Sequence, residues 1–525
     1  MPEGILCLRG GSGLKYFAPI GYYECIVSFF LLAPGLLLRR NWSRLWVVVI
    51  GAVLALTTLL ATWQVLTAGA RWDITAHGAL LQTNPGEAAG YLRAFSTWGL
   101  IGGIILLAAG FVAGLIVNWR ARPPRPRMAG GCLLAGLAVS SYGVHNAIRY
   151  GGWPVHDVLA EDGTKLRIAA LGINSFHPVL LLLVTDHNYR VTHDYYLGVN
   201  RRMAEYATGF AGPQVEPGAV APRDLVVVIG ESASRRHWSL YGYRRPTTPR
   251  LAALGDEVML FSDVVSASVG TQTVLRGMFI TSLHGLPVFP LFSAAGYRTH
   301  WFSAQYNQGE NDVEVAALVQ SCDERVFLNG AFDGDLIPLL RRALAEPGKH
   351  AIFLDLFGSH VRYDDRYPAA FAIFTGEGGS GHRLAAYDNS IRYTDSVLAD
   401  MIAVLRESGD ASCLLYVSDH AEDVYDSNPT KYLFRSDELA TDPMYEVPFL
   451  LWFSPAYQKG NPTFVAAARA ARDRPFQTAG LYHSLIDLAR LRHPVFVPER
   501  SLFSPQFQAV PRHVGNAGRI YEKRR

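Results

Sequence analysis

Apolar residues gather in long unbroken runs in the first third of the chain and in short runs after it. Four runs approach or reach the length of about 20 apolar residues that a membrane-spanning helix needs. They are Tyr22–Leu38, Leu45–Leu66, Trp98–Val117 and Met128–Ile148. A fifth, Ile168–Val184, carries Asn174, His177 and Pro178 and reads as a membrane-surface or buried segment. Arg39, Arg40 and Arg44 fall between the first and second runs, and Arg120, Arg122, Arg125 and Arg127 between the third and fourth. This arginine excess places both short loops on the cytoplasmic side. The N-terminus, the loop at 67–97 and everything after the fourth run then face outward. No signal peptide is predicted, because no adequate apolar core precedes Tyr16.

Residues 186–222 mix Tyr, Arg, Gly and Pro and read as a linker. Beyond them the period changes. Leu225–Ile229, His300–Phe302, Ile352–Leu356, Leu414–Val417 and Pro448–Phe453 are short, continuous and apolar, as buried strands are. Amphipathic stretches such as Ala385–Leu405 lie between them. The alternation predicts an α/β layered domain with a largely parallel sheet. The expected organisation is therefore an all-α transmembrane domain at 1–185 with about four spans, a linker at 186–222, and a catalytic domain at 223–525.

The 525 residues leave room for both domains, and half of them are hydrophobic. The formal net charge of +3 gives no reason to expect a nucleic-acid partner. Of five cysteines, Cys7, Cys25 and Cys132 fall in or beside the membrane part, leaving Cys322 and Cys413, enough for one disulfide. No CxxC pair suggests a zinc knuckle or a dithiol redox site.

In open α/β sheets, chemistry collects at the carboxyl ends of strands. LVVVIG runs into Glu231, FLDLFGS into His360, and LLYVS into Asp419-His420. SVGTQT adds Thr271 and Thr273. Taken singly, each has an ordinary explanation: a helix-dipole charge, a structural histidine, an N-cap, a turn hydroxyl. Taken together they form a ligand set. Glu231, Asp419 and His420 supply three zinc ligands, and a threonine hydroxyl takes the open position. A zinc-bound hydroxyl loses its proton near neutral pH and becomes a nucleophile suited to phosphorus. Local chemistry does not choose between the two threonines.

These residues stand in longer stretches that resemble the phosphoethanolamine transferases, sulfatase-like members of the alkaline phosphatase superfamily that modify lipopolysaccharide. VVVIGESASRRHWSLYGYRRPTTPRL, SVGTQTVLRGMF, FGSHVRYDDRYP, AAYDNSIRYTDSVL and YVSDHAEDVYD follow the family's order and spacing. The resemblance makes the second threonine of the loop, Thr273, the nucleophile and a metal ligand. It gives His360 phosphate contact or acid/base help. LLQTNPGEA, with Thr83 and Glu87, is similar to the outward loop that receives the lipid donor, although Ala79 stands where the family has Asn. The family has five spans, and the first has no counterpart here. Ala421 replaces the Gly of SDHGE, and no His occurs from Ala421 to Tyr482, where the family has one; Arg435 stands near that place. One zinc site is expected, and a second is left open.

The resemblance implies a multi-pass protein of the bacterial inner membrane with its catalytic domain in the periplasm. Phosphatidylethanolamine is the implied donor. Lipopolysaccharide, at a core heptose or a lipid A phosphate, is the implied acceptor, with a phosphoethanolaminyl-threonine between them. EDVYD and WFSAQ lean toward the core-heptose branch. Alternative readings are a sulfatase-like phosphodiesterase or phosphoglycerol transferase, and a degenerate non-catalytic membrane relative.

Overall fold

The computed structural model describes residues 31–67, 155–159, 165–169, 212–280, 286–305, 319, 321–428, 440–515 and 519–523, with scattered positions at 102–120 and 183–191. The chain forms two compact units, Met1–Tyr195 and Tyr196–Arg525.

In the first unit, helix α1 (Arg40–Thr67) contains the run Asn41–Leu60, with mean hydropathy 2.0. Among the described residues this is the one helix long and apolar enough to cross a membrane. It matches the second predicted run. The described positions at 102–120 within the third run are helical, and the fourth run lies outside the described residues. Val155–Leu159 and Lys165–Ala169 pair as an antiparallel hairpin, so the predicted fifth run opens as strand at Ile168 and Ala169.

The second unit is built on seven strands: β1 (Asp224–Gly230), β2 (Val258–Leu260), β3 (Tyr297–Ser303), β4 (Glu324–Phe327), β5 (Lys349–Asp355), β6 (Ser412–Ser418) and β7 (Phe449–Phe453). Their order is β2-β7-β6-β1-β5-β3-β4. The block β6-β1-β5-β3-β4 is parallel; β7 joins β6 antiparallel, and β2 joins β7 antiparallel. All five predicted strands form. The two that the pattern missed, β2 and β4, are short edge strands with one partner each. An apolar run signals burial but not direction, so the reversal at Pro448–Phe453 was not visible in the pattern.

Successive side chains of a strand point to opposite faces, and the core divides accordingly. Leu225, Val227, Ile229, Leu415 and Val417 pack on one face with helices α2 (Thr271–Phe279), α3 (Val288–Ala294) and α6 (Leu481–Leu488). Val226, Val228, Leu414 and Tyr416 pack on the other with α4 (Ile337–Leu344) and the 31-residue α5 (Gly378–Ser408). The result is a three-layer α/β/α domain. Cys322 and Cys413 are buried free thiols, so the one disulfide allowed by the sequence does not form.

The end of the predicted linker is stitched to this unit. Gln214–Val215 pairs with Leu491–Arg492, Glu216 binds Arg490 and Arg492, and the Asn461 side chain bonds both backbone groups of Val220.

Candidate metal centre

The central strand β1 lies between β5 and β6, and all three run in parallel. Their carboxyl ends therefore open side by side. Gly230 is level with Ser418, so the next residues, Glu231 and Asp419, leave adjacent strands together. The Asp419 amide donates to Gly230 O at 2.8 Å, and the Ser359 amide to Glu231 O at 2.9 Å. Backbone bonds thus tie the three strand ends together before any side chain acts.

Glu231, Asp419 and His420 are all but fully buried, at 2%, 1% and 0% exposure. One ligand atom from each lies within 4.8 Å of the others, the one group of three or more such side chains found this close among the described residues. Asp419 Oδ1 accepts from the amides of Ser232 (3.1 Å) and His420 (2.6 Å). Its Oδ2 faces His420 Nε2 at 3.1 Å, and Glu231 Oε1 lies 3.3 Å from that nitrogen. Ser232 Oγ donates to Glu231 Oε1 from a backbone at φ +60°, a strained conformation for a non-glycine residue.

The threonine hydroxyl that lies beside these groups is that of Thr271. Thr271 Oγ1 lies 3.2 Å from both Glu231 Oε2 and His420 Nε2. The physical reason is helix phase. α2 begins at Thr271, with Gly270 at its N-cap, and each residue turns the helix by about 100°. Thr273 therefore points to roughly the opposite side, and it is exposed. Val274, Leu275, Met278 and Phe279 bury the core face and fix the phase. The N-terminal position also aims the helix dipole at the site, where it favours negative charge.

These separations suit a zinc ion. Bonds of 2.0–2.2 Å at tetrahedral angles set donors about 3.3–3.6 Å apart, and His420 Nε2 lies 3.1 Å from Asp419 Oδ2, 3.2 Å from Thr271 Oγ1 and 3.3 Å from Glu231 Oε1. Two carboxylates desolvated this close together repel, and a divalent cation would offset that repulsion. Glu231, Asp419, His420 and Thr271 are the residues that would hold it.

His360 lies in the loop between β5 and the short turn Tyr363–Asp365. It is half-buried, its amide donates to Phe357 O at 3.3 Å, and its ring is tilted against Phe357 at a centroid distance of 5.6 Å. Thr83, Glu87 and Arg435 lie outside the described residues.

Four supporting residues went unremarked in the sequence. Ser418 Oγ accepts from Ala233 N and donates to His420 O, both at 2.9 Å. Ser232 is described above. Tyr387 of α5 donates to Ser232 O at 2.7 Å and accepts from Ser234 N at 2.8 Å. These three sit inside the quoted motifs, which was the available signal. The fourth, Asp333, had none. It accepts from the amides of Phe357 (2.7 Å) and Gly358 (3.1 Å), and burial pushes its carboxyl up to about 6 despite those bonds.

Gly358 is required by proximity. Its φ is +50°, and a Cβ there would lie 2.7 Å from Glu231 O and 2.8 Å from Glu231 N. Gly358→Ala is expected to cost at least about 2 kcal/mol, from left-handed strain plus displacement of Glu231. Gly409→Ala is the control: φ is +70° but nothing lies within 4 Å. Both variants should melt earlier, and only Gly358→Ala should also bind zinc more weakly, as read by thermal unfolding and zinc titration.

Residues 223–491, more than half of the chain, match the family model described as Sulfatase. The phosphoethanolamine transferase EptC of Escherichia coli (strain K12) is 28% identical over 98% of this chain and 91% of its own length. The phosphoethanolamine transferase CptA of Salmonella typhimurium is 29% identical over the same shares. Among solved structures, the C-terminal periplasmic domain of the Escherichia coli EptC in complex with Zn aligns with a TM-score of 0.55 and 30% identity, covering 59% of this chain and 95% of that one. The integral membrane protein EptA from Neisseria meningitidis, 18% identical, shares the fold with a TM-score of 0.60 over 86% of both chains. The chain belongs to the sulfatase family, among relatives named phosphoethanolamine transferases.

Proposed function

We propose that this chain transfers phosphoethanolamine from phosphatidylethanolamine to lipopolysaccharide, through a covalent intermediate on Thr271. The observation that carries the reading is the Thr271 hydroxyl, set at a helix N-terminus 3.2 Å from both Glu231 and His420. The near full-length likeness to phosphoethanolamine transferases supports the choice of group transferred.

When bound, zinc lowers the pKa of a coordinated hydroxyl and neutralises phosphoryl charge. Glu231 and His420 hold the Thr271 oxygen in place, and the amino end of α2 favours its anionic form. In the first step Thr271 Oγ forms a bond to the donor phosphorus, and the phosphorus–oxygen bond to diacylglycerol breaks. The threonine proton is lost to solvent or a site base, and the departing glycerol oxygen gains one. His360, in the loop after the neighbouring strand β5, is our candidate for that protonation. In the second step an acceptor oxygen of the core heptose or the lipid A phosphate attacks phosphorus. The bond to Thr271 breaks, any proton on the attacking oxygen is lost to solvent or a site base, and the Thr271 oxygen takes one up, so the free threonine is restored. Thr83 and Glu87 are assigned to donor entry, and Arg435 to contact with a phosphate.

We infer that the protein sits in the bacterial inner membrane with residues 223–525 in the periplasm. The apolar helix Asn41–Leu60 supports this, as does the periplasmic placement of the corresponding domain in EptC. Mass spectrometry of the full-length protein incubated with phosphatidylethanolamine should find the adduct on Thr271. An adduct on Thr273, or one that persists in Thr271→Ala, would overturn the nucleophile. Release of free phosphoethanolamine at the same rate with and without lipopolysaccharide would indicate a hydrolase instead.

A further inference from the structure

His237 is 2% exposed and sits in the short turn Arg235–His237 that follows Glu231. Its Nδ1 lies 2.7 Å from Asp388 Oδ1, and its Nε2 lies 3.2 Å from Asp426 Oδ2. Asp388 belongs to α5, and its second oxygen accepts from Tyr243 OH at 2.9 Å and Arg245 Nη1 at 2.7 Å. The Tyr387 ring stands edge-on to the imidazole at 4.9 Å, and Tyr243 is tilted against it at 4.8 Å. Tyr387 in turn bonds the backbone at Ser232 and Ser234, directly after Glu231. Asp426 lies two residues beyond the buried run that carries Asp419 and His420 and ends at Val424, and the Asp423 carboxylate accepts from the amides of Asp426 (2.9 Å) and Ser427 (3.0 Å).

We propose that His237 is a positioning residue for the metal centre: clamped between Asp388 and Asp426, it holds the segment after His420 against the turn after Glu231. The proposal rests on the metal-centred reading of the site. Each ring nitrogen faces a carboxylate, and only the imidazolium can donate to both. Burial works against that charge, but the Asp388 and Asp426 carboxylates outweigh it and hold the group up to about 9. The titratable groups facing the ring are Asp388 and Tyr387 of α5, Asp426 and Tyr243; Arg245 reaches Asp388 from behind. Burial is the leading reason both tyrosines are pushed well up, so they stay neutral as His237 titrates.

The sign follows from a folded value above the unfolded one of 6.5. The clamp contributes fully below about 6.5 and is lost as pH rises through about 9. On the alkaline side the one remaining proton serves the shorter bond to Asp388. Asp426 then faces a lone pair, and the segment carrying Asp419 and His420 loses that tether.

The test uses the full-length protein in detergent, with zinc titration and transfer kinetics against pH. His237→Phe fills the volume and removes both donors. It is expected to weaken zinc binding about tenfold or more, as loss of a group supporting metal ligands does, and to lower kcat more than it raises KM. Asp426→Asn supplies an N–H to the neutral ring. Between pH 7 and about pH 9.5 the wild type should fall to about a quarter of its activity, while Asp426→Asn stays nearly level, a difference of about fourfold. Zinc affinity and kcat unchanged in His237→Phe would overturn the proposal, as would identical alkaline limbs in the wild type and Asp426→Asn. If His237→Phe fails to fold, the Asp426→Asn profile decides. Glu231→Gln separates the two levels: if it too leaves zinc binding intact, the metal-centred reading itself has failed.

Discussion

Replacing Thr271 by alanine is expected to lower transfer by about a thousandfold or more, the scale of loss when a covalent nucleophile is removed. Replacing Thr273 should leave activity within a few-fold. The contrast follows from geometry. Thr271 Oγ1 is 3.2 Å from Glu231 Oε2 and His420 Nε2, while Thr273 is exposed two positions further along the helix. Thr271→Ser keeps the hydroxyl at the same position and should retain much of the rate, whereas Thr271→Val keeps the shape and should not. Steady-state transfer to lipopolysaccharide, followed by mass spectrometry, measures all four variants. Near-normal turnover in Thr271→Ala, with loss in Thr273→Ala, would restore the assignment that family resemblance favours.

That difference marks how far the sequence could be read. Glu231 and Asp419-His420 were legible because each follows a continuous apolar run, and in a parallel sheet such runs end at one edge. The threonine was not legible, because its orientation depends on the residue at which α2 begins. A Gly at the N-cap and Val274, Leu275, Met278 and Phe279 on the core face settle that phase only once the helix is packed. Strands β2 and β4 escaped for a related reason: three or four residues at a sheet edge carry too little apolar pattern to register. Asp333 and His237 escaped because their partners, Phe357–Gly358 and Asp388–Asp426, are distant in sequence.

Removal of zinc is expected to cost stability as well as activity. An ion that binds only the folded state adds about 4 kcal/mol when present at a thousand times its dissociation constant. For a domain of this size that is a rise in Tm of about 6 °C. Chelation should therefore lower Tm by about that amount and abolish transfer, and added zinc should restore both. Asp419→Asn isolates the electrostatic part of this effect. Asp419 Oδ1, which accepts from Ser232 N and His420 N, can be replaced by the amide oxygen, so the backbone that shapes the turn keeps its acceptor. The atom that changes is Oδ2, the one facing His420 Nε2 at 3.1 Å. An amide nitrogen there offers no lone pair to a cation and no negative charge. The variant should fold, show little response of Tm to zinc or chelator, and lose transfer. It should also melt no earlier than chelated wild type, because one of two crowded, buried carboxylates has been neutralised. A Tm in Asp419→Asn that still rises by about 6 °C with zinc would show that the ion is held elsewhere. In that case the three buried side chains at the ends of β1 and β6 would need another explanation for their closeness.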